Sequence, residues 1–319
     1  MNQKAIRYPA KLLLFGEYSI LLGSRALSIP FGLYGAALAF IDHETGETLQ
    51  QALESNLQLQ KLSVHFLETG EMYSGFLDLH RFISDIHHGL YLASDIPQRY
   101  GLGSSGALCA AIYARYATDG NVSLQFHDRM ELSRLRSRFS EMESFFHGKS
   151  SGFDPLVIYL QQPLQLGVNN EPIPVDLHNC NTENVLDILL VDSGLPCSTG
   201  LRVREFMDKY QPAGKVIPSG KKMISLTNTC IDHYLNGVSD FCWDALIRLS
   251  EFQFKELNYL IPAHLNPLWR EGLQHGVFAC KLCGSGGGGF LICFTREKER
   301  TINFFENRKI PVIQIPFSK

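Results

Sequence analysis

The segment with the most chemistry in it is Ile96-Pro97-Gln98-Arg99-Tyr100-Gly101-Leu102-Gly103-Ser104-Ser105-Gly106-Ala107-Leu108. Three glycines and two serines lead straight into an alanine-rich stretch that predicts a helix over 106–116. Glycine lets the backbone take positive φ and lets a ligand come close. The first N–H groups of a helix have no partner within it, and with the helix dipole they make an anion site. Serine hydroxyls can add ligands for Mg²⁺ or hydrogen bonds to phosphate oxygens. The same residues also suit a plain glycine turn with serine as helix N-cap. The segment is neither G-x-x-x-x-G-K-[ST] nor a clean G-x-G-x-x-G after a strand, which disfavours a P-loop and a Rossmann fingerprint.

Two carboxylates follow. Glu143 lies near the end of a helix predicted over 124–146, and Gly148 is a good stop for that helix. A short loop then delivers Asp154. Glu143 and His147 are four residues apart and share a helix face. Glu143 could bind Mg²⁺ through oxygen, and Asp154 could accept or orient a hydroxyl proton. The plainer alternative is a solvated helix end with ordinary surface acids. Lys11 is the only charge in Tyr8-Pro9-Ala10-Lys11-Leu12-Leu13-Leu14-Phe15. It either snorkels to a sheet edge or points into a polar site. A second glycine run, Cys283-Gly284-Ser285-Gly286-Gly287-Gly288-Gly289-Phe290, is too flexible for a helix or strand. It is either a loose turn or a backbone that packs close to phosphate or to the first glycine loop.

The elements that must carry these residues read as α+β. Apolar runs predict strands at 11–15, 26–29 (stopped by Pro30) and 35–41. A weaker strand is expected over Leu57–Phe66, where apolar residues alternate with glutamines. After the two central helices, a strand returns at 185–191. Helices are expected over 199–210, 223–235 and 241–260. The chain closes with strand, helix and strand at 290–294, 296–307 and 312–315. The polar stretch 178–184 is the best domain boundary, which gives domains 1–184 and 185–319.

The 319 residues suffice for two domains with a real core. A formal net charge of -3 offers no electrostatic case for nucleic acid or an anionic membrane as partner. With no signal-peptide pattern and no apolar run long enough for a membrane span, a cytoplasmic protein is expected. The eight cysteines do not form a disulfide framework. Cys280 and Cys283 match C-x-x-C without a second pair at zinc spacing, so two thiols beside a glycine loop are expected.

Taken together, the motifs resemble the GHMP kinase family. Pro9-Ala10-Lys11, continuing through Gly16-Glu17-Tyr18, is similar to its first motif. Residues Pro97 to Ala107 resemble the phosphate-binding motif P-x-x-x-G-L-G-S-S, and Lys281 to Gly289 resemble K-x-x-G-[AS]-G-x-G-G. Within the family, Glu143, His147, Gly148, Ser151, Gly152 and Asp154 match the mevalonate kinase pattern E-x-x-x-H-G-x-x-S-G-x-D. The loop 148–154 is also similar to that of phosphomevalonate kinase. Tyr18 stands where mevalonate kinases usually have His, Pro155 where Asn is usual, and Ala10 where Gly is commoner.

The resemblance implies an ATP- and Mg²⁺-dependent kinase acting on a small-molecule alcohol, with mevalonate first and phosphomevalonate or a sugar as alternatives. A decarboxylase of the same fold is disfavoured by the first motif, and a non-catalytic ATP-binding regulator by the presence of Lys11, Glu143 and Asp154 together. It further implies Asp154 as catalytic base with Lys11 beside it, and Glu143 and Ser105 as Mg²⁺ ligands. Pro97, Gly101, Leu102, Gly103, Ser104, Ser105 and Gly106 would wrap the ATP phosphates. Glu17, Tyr18, Thr199, Gly284, Ser285 and Gly286 would face the substrate. The implied fold is an N-terminal domain like the second domain of ribosomal protein S5 and a ferredoxin-like C-terminal domain, with ATP between them. A homodimer is left open.

Overall fold

The computed structural model describes residues 6–42, 44–69, 71–119, 128–148, 150–167, 169–177, 186–197, 200–237 and 239–315. The expected boundary at 184 lies outside them, as does Thr199. In chain order the elements of the first half are β1 (Tyr8–Phe15), β2 (Ala26–Phe40), α1 (Gly46–Glu68), α2 (Glu71–Ser74), α3 (Leu79–His87) and β3 (Leu90–Ser94). They continue with α4 (Ser104–Tyr116), α5 (Arg129–His147), α6 (Phe153–Leu160), β4 (Leu164–Leu166) and β5 (Pro172–Pro174). The second half holds β6 (Asp187–Asp192), α7 (Gly200–Tyr210), α8 (Pro218–Leu235), α9 (Ser239–Glu256) and α10 (Asn266–His275). It ends with β7 (Phe278–Leu282), β8 (Phe290–Thr295), α11 (Lys298–Glu306) and β9 (Val312–Gln314).

These elements form two compact units that interleave along the chain. The first comprises Met1–Lys11, Pro30–Pro97 and Gly103–Gln162, and the second Leu12–Ile29, Gln98–Leu102 and Pro163–Lys319. Strands β1 and β2 each run from one unit into the other.

In the first unit, the C-terminal part of β2 pairs antiparallel with β3, from Ala36 opposite Ser94 to Phe40 opposite Leu90. Helix α1 turns Leu59, Leu62 and Phe66 inward, at helical spacing. Phe66 meets Phe82 of α3, with ring centroids 6.1 Å apart. Helices α4, α5 and α6 share an aromatic core in which Phe139 lies 5.3 Å from Tyr113 and 5.5 Å from Tyr159.

In the second unit, the N-terminal part of β2 pairs with β4, and β4 with β5. A separate four-stranded antiparallel sheet has the order β7-β8-β6-β9. With a helix between β8 and β9 and helices between β6 and β7, this is the expected ferredoxin-like arrangement. Both β7 and β8 are buried along their whole length.

Two local expectations are corrected. Leu57–Phe66 is not a strand but the second half of α1, whose buried positions recur every three or four residues while Leu57 and Val64 face solvent. The apparent alternation came from glutamines, which are good helix formers. Strand β2 does not stop at Pro30. Its ladder to β4 covers 26–28 and its ladder to β3 covers 36–40. Pro30 falls between these partners, where neither ladder requires an N–H.

Candidate functional site

In the first unit, the chemistry gathers at the start of α4. Gly103 is its N-cap, in the left-handed region at φ 81°, and no side chain caps the helix. The first turn of such a helix start, here beginning at Ser104, suits an anion. Glycine is required at both ends of this turn. A Cβ on Gly103 would lie 2.9 Å from Cγ of Lys11, and one on Gly106 would lie 3.0 Å from the Pro155 nitrogen. The missing side chains thus let Lys11 and the first turn of α6 approach α4.

Lys11 does not snorkel to an edge. It is buried, and its Nζ lies 2.8 Å from Oδ2 of Asp154. The Lys11 side chain is 5% exposed and the Asp154 side chain 34%. Asp154 occupies the first turn of α6, where the helix dipole favours a carboxylate. Its backbone is placed by Gly152, at φ 68°, which sits so tightly on α5 that a Cβ would lie 2.1 Å from the Arg136 carbonyl oxygen.

Glu143, on α5, is the second carboxylate of this cluster and is buried. It accepts hydrogen bonds from Ser105 Oγ at 2.8 Å and Ser150 Oγ at 2.5 Å. Burial, then the charge of Asp154, push its carboxyl up to about 7, against the opposing effects of Ser150, Ser105 and Lys11. A divalent cation supplies the charge that such a carboxylate lacks. Among the described residues no group of three or more His, Cys, Asp or Glu could hold a metal alone. One buried carboxylate with adjacent hydroxyls suits Mg²⁺, which is held by one or two carboxylates plus the phosphates of a substrate. Glu143 and Ser105 fit that role.

In the second unit, the two glycine runs meet. A Cβ on Gly101 would lie 3.3 Å from Cα of Gly284, and one on Gly289 would lie 3.1 Å from Cα of Tyr100. Of the two readings of the second run, the structure shows the backbone packed on the first glycine loop. Leu102 is fully buried. The Tyr18 hydroxyl donates to the Ser285 carbonyl at 2.6 Å, and its ring lies 4.7 Å from that of Phe206. Tyr18 adopts φ 59°, a conformation that costs a non-glycine residue about 1–3 kcal/mol. Burial raises its hydroxyl far above the usual tyrosine value, so it stays a donor. Glu17 is buried, and its Oε1 accepts from Lys281 Nζ at 2.5 Å; both side chains are 1% exposed.

The expected residues thus fall into two groups. Lys11, Asp154, Glu143 and Gly103 to Gly106 belong to the first, with Pro97 upstream on the same unit. Gly101, Leu102, Glu17, Tyr18, Gly284, Ser285 and Gly286 belong to the second. Three participants were missed. Ser150 was visible only as one serine in a polar loop. Arg202, whose Nη1 donates to the Gly286 carbonyl at 2.8 Å, carried no sequence signal. Lys281 was read as a motif residue without its carboxylate partner. The seven described cysteines are buried, and Cys280 faces Cys293 across β7 and β8, as expected of packed thiols.

Strand-borne lysine, glycine-initiated helix and paired carboxylates on these two folds define a phosphotransferase class, and comparison with known proteins places it. Residues 68–162 match the family profile described as GHMP kinases N terminal domain, and residues 242–308 match GHMP kinases C terminal. The chain belongs to the GHMP kinase family of ATP-dependent phosphotransferases. No curated protein sequence matches it. Similar solved structures include the mevalonate kinase of Methanococcus jannaschii, at 17% identity, TM-score 0.61 and full coverage of both chains. The L. major mevalonate kinase in complex with R-mevalonate has 14% identity and TM-score 0.62, with 98% of this chain and 95% of that one covered. The Streptococcus pneumoniae phosphomevalonate kinase in complex with phosphomevalonate and AMPPNP has 14% identity and TM-score 0.59, with 98% and 100% covered. At such identities these likenesses establish the fold.

Proposed function

We propose that this protein transfers the γ-phosphoryl group of ATP to the hydroxyl of mevalonate, giving 5-phosphomevalonate for isoprenoid precursor synthesis. The observation that carries the reading is the Lys11–Asp154 pair at 2.8 Å, at the start of an uncapped helix that also presents Ser105 to a buried glutamate. Phosphoryl transfer asks mainly for positioning and charge neutralisation, and these groups provide both.

The start of α4 from Gly103 to Gly106 would hold the phosphates, and Glu143 and Ser105 would hold Mg²⁺. Such an ion would supply positive charge against the phosphate oxygens. Asp154, the more exposed partner of the pair, holds the acceptor hydroxyl and takes its proton as the new phosphorus–oxygen bond forms. Lys11 stabilises the developing alkoxide and the transferring group. The mevalonate kinase pattern from Glu143 to Asp154 supports mevalonate as acceptor.

A coupled assay of ADP release tests this with mevalonate, phosphomevalonate, galactose and homoserine as acceptors. ADP formation that depends on mevalonate is expected. Rapid turnover of another alcohol with none of mevalonate would reassign the substrate. Asp154→Asn should lower kcat by about 10²–10⁴-fold while a nucleotide analogue still binds. Near-normal turnover by that variant would remove Asp154 from the mechanism.

A further inference from the structure

We propose that Ser150 is a positioning residue that ties the carboxylate of Glu143 to the turn carrying Asp154, so that one hydroxyl sets the residue assigned to Mg²⁺ and the residue assigned to the acceptor proton together. The proposal rests on the phosphoryl-transfer reading above, in which Glu143 holds Mg²⁺.

The loop after α5 lies back on the helix it has just left. Ser140 Oγ donates to the Ser150 carbonyl at 2.6 Å, and Ser150 Oγ donates to Glu143 Oε2 at 2.5 Å. Arg136, Ser140 and Glu143 follow one another at helical spacing, on one face of α5. A Cβ on Gly152 would lie 2.1 Å from the Arg136 carbonyl oxygen and 2.6 Å from the Ser140 nitrogen, so the loop packs directly on that face. The Ser150 hydroxyl is used twice. It gives its proton to Glu143, and its oxygen accepts the Gly152 N–H at 3.0 Å. Gly152 is the N-cap of α6, and Asp154 lies in the first turn of that helix.

For Glu143 the consequence is orientation. The last torsion of a glutamate is soft, and Mg²⁺ demands near-ideal octahedral geometry. Here each carboxylate oxygen has its own serine, Ser105 at Oε1 and Ser150 at Oε2. The carboxylate plane is thus held from α4 on one side and from the loop on the other. For Asp154 the consequence runs through the N-cap. The Gly152 amide cannot leave Ser150 without moving the start of α6, where Asp154 meets Lys11 at 2.8 Å. The pattern E-x-x-x-H-G-x-x-S-G-x-D leaves the position of Ser150 unspecified, so this clamp is a property of the present chain. Ser151, which the pattern does name, is exposed and accepts the Phe153 N–H at 3.3 Å instead.

Mg²⁺ titrations of AMPPNP binding test the metal side without turnover. In Ser150→Ala the Mg²⁺ concentration for half-maximal binding should rise about 10–100-fold, while Ser150→Thr, which keeps the hydroxyl, should stay within about threefold of wild type. A residue that acts through Glu143 should matter little once Glu143 is changed. Adding Ser150→Ala to Glu143→Gln should therefore shift the titration by less than about twofold. Backbone hydrogen exchange over 152–156 in the ligand-free chain should become faster in Ser150→Ala. A Ser150→Ala titration within about twofold of wild type, unchanged exchange over 152–156, or a Ser150→Thr variant as impaired as Ser150→Ala would each overturn the proposal. If Glu143→Gln shifts the titration and Ser150→Ala does not, the proposal falls alone; if neither shifts it, Glu143 is no Mg²⁺ ligand and both readings fall. A wild-type protein that phosphorylates none of the alcohols would end the activity assignment, and the binding and exchange data would still decide the role of Ser150.

Discussion

Removing Lys281 while leaving Glu17 in place should unfold the second unit far more readily than the loss of two hydrogen bonds suggests. Glu17 Oε1 and Lys281 Nζ are 2.5 Å apart with side chains 1% exposed, and Lys281 also donates to the Leu282 carbonyl. Lys281→Met keeps the length of the side chain and deletes the charge, so the carboxylate is left without its cation in the interior. Breaking a buried pair from one side costs about 3–5 kcal/mol. That is roughly a hundredfold to several thousandfold in the folding equilibrium, against a total of about 5–15 kcal/mol. Replacing both residues, in Glu17→Met with Lys281→Met, removes the stranded charge as well as the pair. The double variant should return to within about 1 kcal/mol of wild type. Urea unfolding read by tryptophan fluorescence suits the test, because both tryptophans, Trp243 and Trp269, lie in the second unit. A loss below about 1 kcal/mol in Lys281→Met would refute the reasoning, as would a double variant that loses the sum of its singles.

Lys11→Met should lower kcat by about 10²–10³-fold with an unchanged circular dichroism spectrum, since it removes charge stabilisation from the reacting group; unchanged phosphoryl transfer would leave Lys11 a packing residue. Chelation by excess EDTA should abolish ADP formation and added Mg²⁺ restore it. In Glu143→Gln, the Mg²⁺ concentration for half-maximal rate should rise about tenfold or more, and an unshifted Mg²⁺ titration would exclude Glu143 as ligand. Gly106→Ala should lower the thermal midpoint and reduce kcat several-fold, because its Cβ would press on the Pro155 nitrogen 3.0 Å away and outweigh alanine's helix preference of up to about 1 kcal/mol; an unaltered kcat would show that the α4–α6 spacing is not critical.

Much of this was legible in the chain because the informative residues are local. Positive-φ glycines at a helix start, and a glycine stop followed by a short acidic loop, leave marks at fixed spacing. The closing β-α-β pattern likewise agreed with the ferredoxin-like sheet that the family resemblance implied. The failures were positions where tertiary pairing overrode local pattern. Pro30 looked like a strand end until its place between two partner strands was known. Leu57 and Val64 looked like strand residues because nothing local marks them as the solvent face of α1. Arg202 could not be found at all, since its acceptor lies 84 residues away.

The hardest distinction concerns two lysines with one signature. Lys11 is the lone charge in Tyr8–Phe15, and Lys281 is the lone charge in Phe278–Leu282. Each meets a carboxylate at hydrogen-bonding distance. Exposure separates their roles. Where both partners are 1% exposed, no ligand can compete for either charge, and the pair can only hold the strand and the glycine loop beside it. Where the carboxylate is 34% exposed, a hydroxyl can reach Asp154 while Lys11 stays fixed behind it. A charge that is to act on a substrate must be held by the protein on one side and open on the other. Of these two pairs, Lys11–Asp154 meets that condition, and no pattern of residue types along either strand could have revealed it.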